Sequence, residues 1–461
     1  MKKLFLPLLL CFLWFSCSKN TPLISDSNQN KTSVEQLYNY ELIFNEDAGF
    51  TPLSNNTYCE EGFANEKCQN EVETLKAEVL QIINSIDSTI QVDKNHIRVF
   101  YNVSVYLQGL NSSQIENLNR NSLESNYFQN EVFELQIRRP IMQSDFIEQT
   151  RKPMMQEQMR YDSAKKTSTL IEEIGGGQPG LPSKSHRVWI VDSGVDISHQ
   201  DLNFQSPEIA LSVDFTVPPL NPHNNPFNDE NGHGTFMAGV IGGAASTDPI
   251  FQDGYGVNGV FPNAKMVAIK IFDKNDHTTS AEIVSALNYI LTNANSSDIV
   301  NLSWGADIQI SDCTSNKYKG IRDLILALAN NDIKVVMSAG NGSKESLTNF
   351  PGCIELSSDP NPISSNIYTI GSVEIPCSGT YFYSSFSDYG RPSVDFLTPG
   401  ENIFTTALNG EYVLVSGTSI SAAMFSGILY HDQGVGILRS IKRGASPGDP
   451  DPDYPIAKIG N

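Results

Sequence analysis

Four short stretches carry residues whose types could do acyl-transfer chemistry. The first is Val188-Trp189-Ile190-Val191-Asp192-Ser193-Gly194, an apolar run that ends in an acid and a glycine turn. The second, Asn231-Gly232-His233-Gly234-Thr235, sets a histidine between glycines at the entry to a run of small residues. The third is Ser338-Ala339-Gly340-Asn341-Gly342, which again follows an apolar run. The fourth is Gly417-Thr418-Ser419-Ile420-Ser421-Ala422-Ala423, a turn leading into a small-residue helix. Ser419 falls at a helix N-terminus, where unpaired N–H groups and the helix dipole favour developing negative charge. A serine hydroxyl is a weak nucleophile near neutral pH and needs a base; the imidazole of His233 can take its proton and return it to a leaving group. Asp192 can hold the imidazole in the required tautomer, and an amide such as that of Asn341 can donate to an oxyanion. Each of these residues alone has an ordinary structural explanation as a cap or turn; the set of four is what argues for chemistry.

The order Asp, His, Asn, Ser along the chain resembles that of the subtilase family of serine peptidases, over roughly Arg187 to Gly427. The resemblance implies a parallel-sheet α/β catalytic domain and a serine endopeptidase. Asp192, His233 and Ser419 would be its triad, with Asn341 and the Ser419 backbone N–H as the oxyanion hole. It implies further that Asn301-Leu302-Ser303-Trp304-Gly305 is the strand edge on which a peptide substrate lies, through Ser303, Trp304 and Gly305. Asp201 matches a calcium-ligating acid of the family and Asp253 a second oxygen donor, so a structural calcium is expected; no cofactor is needed for the chemistry. Ser421 and Ala423 depart from the family pattern, which has alanine and proline there. A subtilase-fold adaptor, or an esterase or ligase using the same residues, are the rival readings.

The elements needed to position these groups are readable as alternating strands and helices. Strands are expected at Arg187–Val191, Lys265–Ile271, Ile299–Leu302, Lys334–Met337 and Ile367–Val373, with helices at Ser280–Thr292 and Ile321–Asn330. Such alternation gives a parallel sheet whose sites form at the carboxyl ends of the strands. After Gly427 the chain is rich in glycine and proline, so the peptidase domain, 185–461, is expected to finish in an irregular tail.

Upstream, residues 70–140 read as a small α+β domain in the order helix, strand, helix, strand. Val72, Leu75, Val79, Ile82 and Ile86 recur at helical spacing, and Val99, Tyr101, Val103, Val105 and Leu107 alternate. Ser113 and Glu116 are spaced as a capping box, and Phe133, Leu135 and Ile137 alternate again. Placed before a subtilase-like core, this unit resembles the family's inhibitory propeptide. Residues 141–184 then read as a processing linker, with the cut expected between Ile141 and Lys166.

Residues 1–17 have two lysines and a short apolar run, as in an export signal, and Ser16-Cys17 resembles the lipidation site of a bacterial lipoprotein. Residues 18–69 read as a polar tether. The expected destination is therefore the periplasm, the cell surface or the medium, with membrane anchoring through lipidated Cys17. The formal charge of −21 argues against nucleic acid as a partner and leaves protein or peptide substrates and the chain's own propeptide. Cys59 and Cys68 flank a short loop and are expected to pair, as are two of Cys313, Cys353 and Cys377.

Overall fold

The computed structural model describes residues 160–216, 225–247, 255–354 except 275, 366–376, 379–444 and 453–460, with 38–44, 66–92, 97–99, 103–110, 113–114, 117, 126–129, 134–135 and 138–142 upstream. All lie in one compact unit, Leu37–Asn461. The export signal with Cys17, and also Cys59, Glu116, Asp253 and Cys377, fall outside the described residues.

The N-terminal third opens with strand β1 (Tyr38–Phe44) and helix α1 (Glu66–Ile86), followed by β2 (Ile97–Val99), β3 (Val103–Leu110) and β4 (Asn126–Gln129). The four strands form an antiparallel sheet in the order β2-β3-β1-β4. Two boundaries differ from expectation. The stretch 18–69 read as a tether contains β1 and the first turn of α1, because Tyr38, Tyr40, Leu42 and Phe44 alternate along a strand within an otherwise polar region. The alternation from Val99 to Leu107 is not one strand but two, paired Val99↔Val103 and Ile97↔Val105. A period of two continues unchanged on either side of a tight reversal, so periodicity alone misses the turn.

Next come β5 (Glu134–Leu135) and β6 (Arg138–Met142), which pair with the second half of the chain. The stretch read as a processing linker holds the end of β6 and then a hairpin, β7 (Tyr161–Asp162) and β8 (Thr167–Ser168), leading into α2 (Thr169–Glu173). Leu170, Ile171 and Ile174 are buried in the main core, so residues from about 160 onward belong to it.

In chain order the main domain then runs β9 (Val188–Asp192), α3 (Ser206–Leu211), β10 (Val213–Asp214), α4 (His233–Gly242), β11 (Met266–Lys270), α5 (Ser280–Asn293), β12 (Ile299–Leu302) and β13 (Trp304–Asp307). It continues with α6 (Lys319–Asn330), β14 (Lys334–Ser338), β15 (Asn349–Phe350), β16 (Ile367–Glu374), β17 (Phe382–Tyr383) and β18 (Phe396–Pro399). Last come β19 (Ile403–Thr406), β20 (Tyr412–Ser416), α7 (Thr418–Tyr430), β21 (Val435–Ile441) and β22 (Tyr454–Ile459). The central sheet has the order β10-β11-β9-β12-β14-β16-β18-β22-β21 and is parallel from β10 to β22. β21 and β17 add to it antiparallel.

Every residue of β9, β11 and β12 is buried, as expected of parallel strands covered on both faces. One face carries α4 and α7, the other α5 and α6. The residues of α4 and α7 are all buried, so both helices are apolar or small on every face. A Cβ on Gly239 of α4 would lie 2.2 Å from Thr406 Oγ1, and one on Gly427 of α7 2.5 Å from Val260 Cβ. α5 begins with a capping box between Thr279 and Glu282.

The C-terminal segment departs from the irregular tail that its composition suggests. α7 continues past Gly427 to Tyr430, and β21 and β22 follow as a paired ribbon. A register shift between Ile437 and Arg439 throws the apolar positions out of phase, and Ile437 is exposed, so neither strand shows a clean alternation. Of the cysteines, Cys313 and Cys353 form a disulfide.

Candidate active site

Asp192 is the last residue of β9 and His233 the first of α4. Both are fully buried. His233 Nδ1 lies 2.8 Å from Asp192 Oδ1 and 2.9 Å from Oδ2. An ionised carboxylate only accepts, so Nδ1 carries the proton, and Nε2 holds the lone pair in the neutral ring. Nε2 is buried and has no hydrogen-bond partner.

Close backbone approach makes this pair possible. A Cβ on Gly234 would lie 1.9 Å from the Gly194 carbonyl oxygen, and Gly194 has φ +104°. Only glycine satisfies both positions. Asp229, which sequence reasoning passed over, organises the turn. Its Oδ1 accepts from Ser193 Oγ (2.9 Å), Asn231 N–H (3.1 Å) and Gly232 N–H (2.8 Å). Its Oδ2 accepts from Thr235 N–H (3.0 Å) and Oγ1 (2.6 Å). It therefore caps α4 from outside; an acid four residues before the histidine was the available signal. Lys270, at the end of β11 beside Asp192, is buried and donates to the Ser193 carbonyl (2.6 Å).

Ser419 is the second residue of α7, so its N–H is among those without a partner inside the helix. Its Oγ donates to the Ser303 carbonyl at 2.9 Å, and Ser303 Oγ donates to the Ser419 carbonyl at 3.1 Å. A buried chain extends this link: Asn301 Nδ2 donates to Ser303 Oγ (2.8 Å), and Ser426 Oγ to Asn301 Oδ1 (3.0 Å). Leu302 pairs with Val191 in the parallel register, so Ser303 follows directly beside Asp192. The histidine–carboxylate pair and the serine thus meet at the carboxyl ends of neighbouring strands. The structure does not join Ser419 Oγ to His233 Nε2; the hydroxyl is turned to Ser303 instead.

Asn341 follows β14. Its Oδ1 accepts from Thr418 N–H and Thr418 Oγ1, both at 3.0 Å. The two donors fix the amide plane and leave the –NH₂ end to donate elsewhere. Asp388, also missed from sequence, holds the loop. Its Oδ1 accepts from Gly342 N–H (2.8 Å) and Lys344 N–H (2.9 Å), and its backbone N–H donates to Gly340 O (2.9 Å). Burial raises the Asp388 carboxyl to about 6.

Trp304 and Gly305 begin β13, and Trp304 is fully buried. β13 is flanked by β15 on one edge and β5 on the other. Ser421, one of the departures from the family pattern, returns its hydroxyl to Thr398 O at 3.1 Å.

Asp201, read from sequence as a calcium ligand, is buried and hydrogen-bonded. Its Oδ1 accepts from Ser246 N–H (2.7 Å), and its Oδ2 from Val257 N–H (2.7 Å) and the Tyr412 hydroxyl (2.8 Å). Through these three donors Asp201 ties two loops to β20. Among the described residues no group of three or more His, Cys, Asp or Glu is placed to hold a metal.

The family model for the subtilases, Peptidase_S8, matches residues 183–431. Among curated proteins, Subtilisin-like protease 2 of Plasmodium falciparum (isolate 3D7) is 29% identical over 253 residues, covering 54% of this chain and 17% of that protein. The Minor extracellular protease Epr of Bacillus subtilis (strain 168) is 28% identical over 251 residues, covering 54% of this chain and 32% of that one. The match thus spans a third or less of those relatives' lengths. The solved structure of the epidermin leader peptide processing serine protease (EpiP) from Staphylococcus aureus has a TM-score of 0.51 at 18% identity. It covers 86% of this chain and 87% of that one, a likeness of fold. The family match takes in more than half of the 461 residues and all four motifs, and on it the chain belongs to the subtilase family.

Proposed function

We propose that this chain is a serine endopeptidase, made as a zymogen that processes itself. The observation that carries the reading is the Asp192–His233 pair, whose unpartnered Nε2 is buried beside the Ser303–Ser419 link. Ser419 Oγ leaves the Ser303 carbonyl, gives its proton to His233 Nε2 and attacks the substrate carbonyl. Asp192 keeps the ring oriented and stabilises the imidazolium. The Asn341 –NH₂ and the Ser419 N–H receive the oxyanion. His233 then protonates the leaving amine, and water hydrolyses the acyl-enzyme by the same steps in reverse. Substrate backbone adds to the Ser303–Trp304–Gly305 edge. No step uses a metal.

Export belongs to the same proposal and rests on residues 1–17, with Cys17 as the lipidated residue. The α1 and β1–β4 layer, which precedes the main domain, takes the propeptide role.

A second reading, a subtilase-fold adaptor without activity, draws on the Ser419 hydroxyl being bonded to Ser303 rather than to His233. A serine-directed fluorophosphonate separates the two. The endopeptidase labels at Ser419 and hydrolyses casein, and Ser419→Ala does neither; an adaptor shows no label and no hydrolysis as wild type. Comparison of peptide and ester substrates then separates peptidase from esterase.

A further inference from the structure

We propose that Lys270 is a positioning residue of the catalytic pair: its ammonium anchors Ser193, the hub between Asp192 and His233, and its charge opposes protonation of the imidazole. The inference rests on the endopeptidase reading above and adds to it a residue that sets the pH range in which the base works. Lys270 closes β11 and is only 3% exposed. In the parallel register it stands between two acids, Asp192 of β9 on one side and Asp214 of β10 on the other. Register partners on neighbouring parallel strands lie about 4.8 Å apart and put their side chains on the same face. Three charged side chains thus stand in a row at the carboxyl ends of the strands, where the site forms.

The contacts of Ser193 show what the ammonium holds. Lys270 Nζ donates to the Ser193 carbonyl at 2.6 Å. The Ser193 N–H donates to Asp192 Oδ1 at 2.7 Å, the same oxygen that lies 2.8 Å from His233 Nδ1. Ser193 Oγ accepts from the Gly234 N–H at 3.0 Å and donates to Asp229 Oδ1 at 2.9 Å. One residue therefore touches the catalytic acid, the residue after the catalytic histidine and the acid that caps α4. A clamp on its carbonyl acts on all three. The lysine stem also lies beside the glycine turn, where a Cβ on Gly194 would be 3.4 Å from Lys270 Cδ.

Packing alone does not account for a charge at this position. Among the described residues the ammonium makes no ion pair, and its acceptor is a neutral carbonyl. Burying a charge in that state is unfavourable unless nearby charges offset it, and the acids at its register positions are Asp192 and Asp214. Asp214 is engaged by its own turn, its Oδ1 accepting from Thr216 N–H (2.9 Å) and Oγ1 (2.6 Å). Asp192 is shared with His233. The coupling runs both ways: Asp192 stabilises the ammonium, and the ammonium competes with the imidazolium for the same carboxylate.

The charges that face His233 give the effect its sign. Asp192 faces it from β9, Asp276 from the loop after β11 with Asp273 and His277 beside it, and Asp229 from the turn before α4. The Asp276 carboxyl is raised by burial and drawn back by the charge of His233. The carboxylates favour the imidazolium, and Lys270 opposes it across Asp192. With the lysine in place the ring stays a free base to lower pH, so Ser419 keeps an acceptor for its proton over a wider range. Without the charge, protonation sets in at higher pH.

The test uses the full chain. The pH profile of kcat/KM for casein-derived peptides is measured for wild type, Lys270→Met and Lys270→Arg, with phosphonate labelling and the melting temperature alongside. Methionine keeps most of the stem and removes the charge; arginine keeps the charge. The acid limb should move up by about one unit in Lys270→Met, a loss of about tenfold in kcat/KM below the limb, and stay in place in Lys270→Arg. A methionine variant that loses activity and melting temperature equally at every pH, with its limb unmoved, overturns the proposal and leaves Lys270 a packing residue. So does a limb that moves alike in both variants. If neither variant folds, the carbon NMR shift of Lys270 Cε in Ser419→Ala decides the matter: an ammonium throughout the active pH range supports the proposal, and an amine overturns it. In all these cases a wild type that labels and hydrolyses leaves the endopeptidase reading standing. A wild type that does neither at any pH overturns that reading, and this inference with it.

Discussion

Replacing Asp388 by asparagine tests how the loop that carries Asn341 is held. Asp388 Oδ1 accepts two backbone N–H groups, while Oδ2 is buried without a partner, 2.2 Å from where a Cβ on Gly340 would lie. Burial drives the carboxyl from 3.8 to about 6, with the Asp307 charge adding to the rise and the Gly342 and Lys344 N–H groups and the Lys344 ammonium opposing it. A shift of about two units corresponds to about 3 kcal/mol between the protonated and ionised forms. The folded value lies above the unfolded one. The group's contribution to stability is therefore fully present below pH 3.8, falls away as pH rises towards about 6, and is gone above it. Asparagine keeps the Oδ1 acceptor and cannot ionise. Asp388→Asn should match the parent near pH 4 and exceed its stability at pH 8 by up to about 3 kcal/mol. The measurement is the urea midpoint from pH 4 to 8, with both chains carrying Ser419→Ala to prevent self-digestion. Parallel pH profiles for the two chains would refute the reasoning. Asp388→Ala in the active chain is the companion: with both acceptors gone, kcat should fall about tenfold or more while KM changes little.

Asn341→Ala should lower kcat by about 10²–10³, a magnitude known from a subtilisin itself, with KM little affected; steady-state peptide hydrolysis reads it. Asp229→Ala removes five hydrogen bonds from the turn before α4, so it should lower both the melting temperature and kcat, the cap alone being worth about 1–2 kcal/mol. Glu282 is raised from 4.5 to about 7 by burial at the start of α5. Its stabilising contribution is therefore lost as pH climbs through that window, and Glu282→Gln should be the more stable chain at pH 8 and equal to wild type near pH 4, as denaturant titration will show. The Cys313–Cys353 bridge closes a separation of 40 residues, so the double serine variant should lose about 4 kcal/mol in urea unfolding, on the chain-entropy estimate.

The parts of the site that were readable from sequence are those in which chemistry and geometry share one short stretch. Glycines beside His233 and after Asp192 announce a close approach before any fold is known, and the structure shows the contact that Gly234 permits. The buried parallel strands were equally readable, because burial on both faces makes each a short apolar run between turn residues; Ile299–Leu302 has the same bounds in both readings. Supports reached across the fold were not. Asp388 lies 46 residues from the Gly342 it bonds, and Lys270 lies 77 from Ser193; nothing local distinguishes them from surface charges. The C-terminal ribbon was missed for a different reason. β22 contains Pro455, and β21 exposes Ile437 and bulges beside it, so neither has the alternation by which strands are recognised.

β22 also determines when the molecule can exist. It lies between β18 and β21, and Tyr454, Ile456 and Ala457 fill the same core as α7. A chain threaded from its N-terminus, through a ribosome tunnel or an export channel, presents Ser419 well before residues 454–459 emerge. Until they do, Phe396–Pro399 lacks a neighbour on one edge and the core beneath the helix is open. The last strand thus acts as a clock for the nucleophile. The serine acquires its surroundings only once residues 454–459 have joined the sheet and filled the core beneath it.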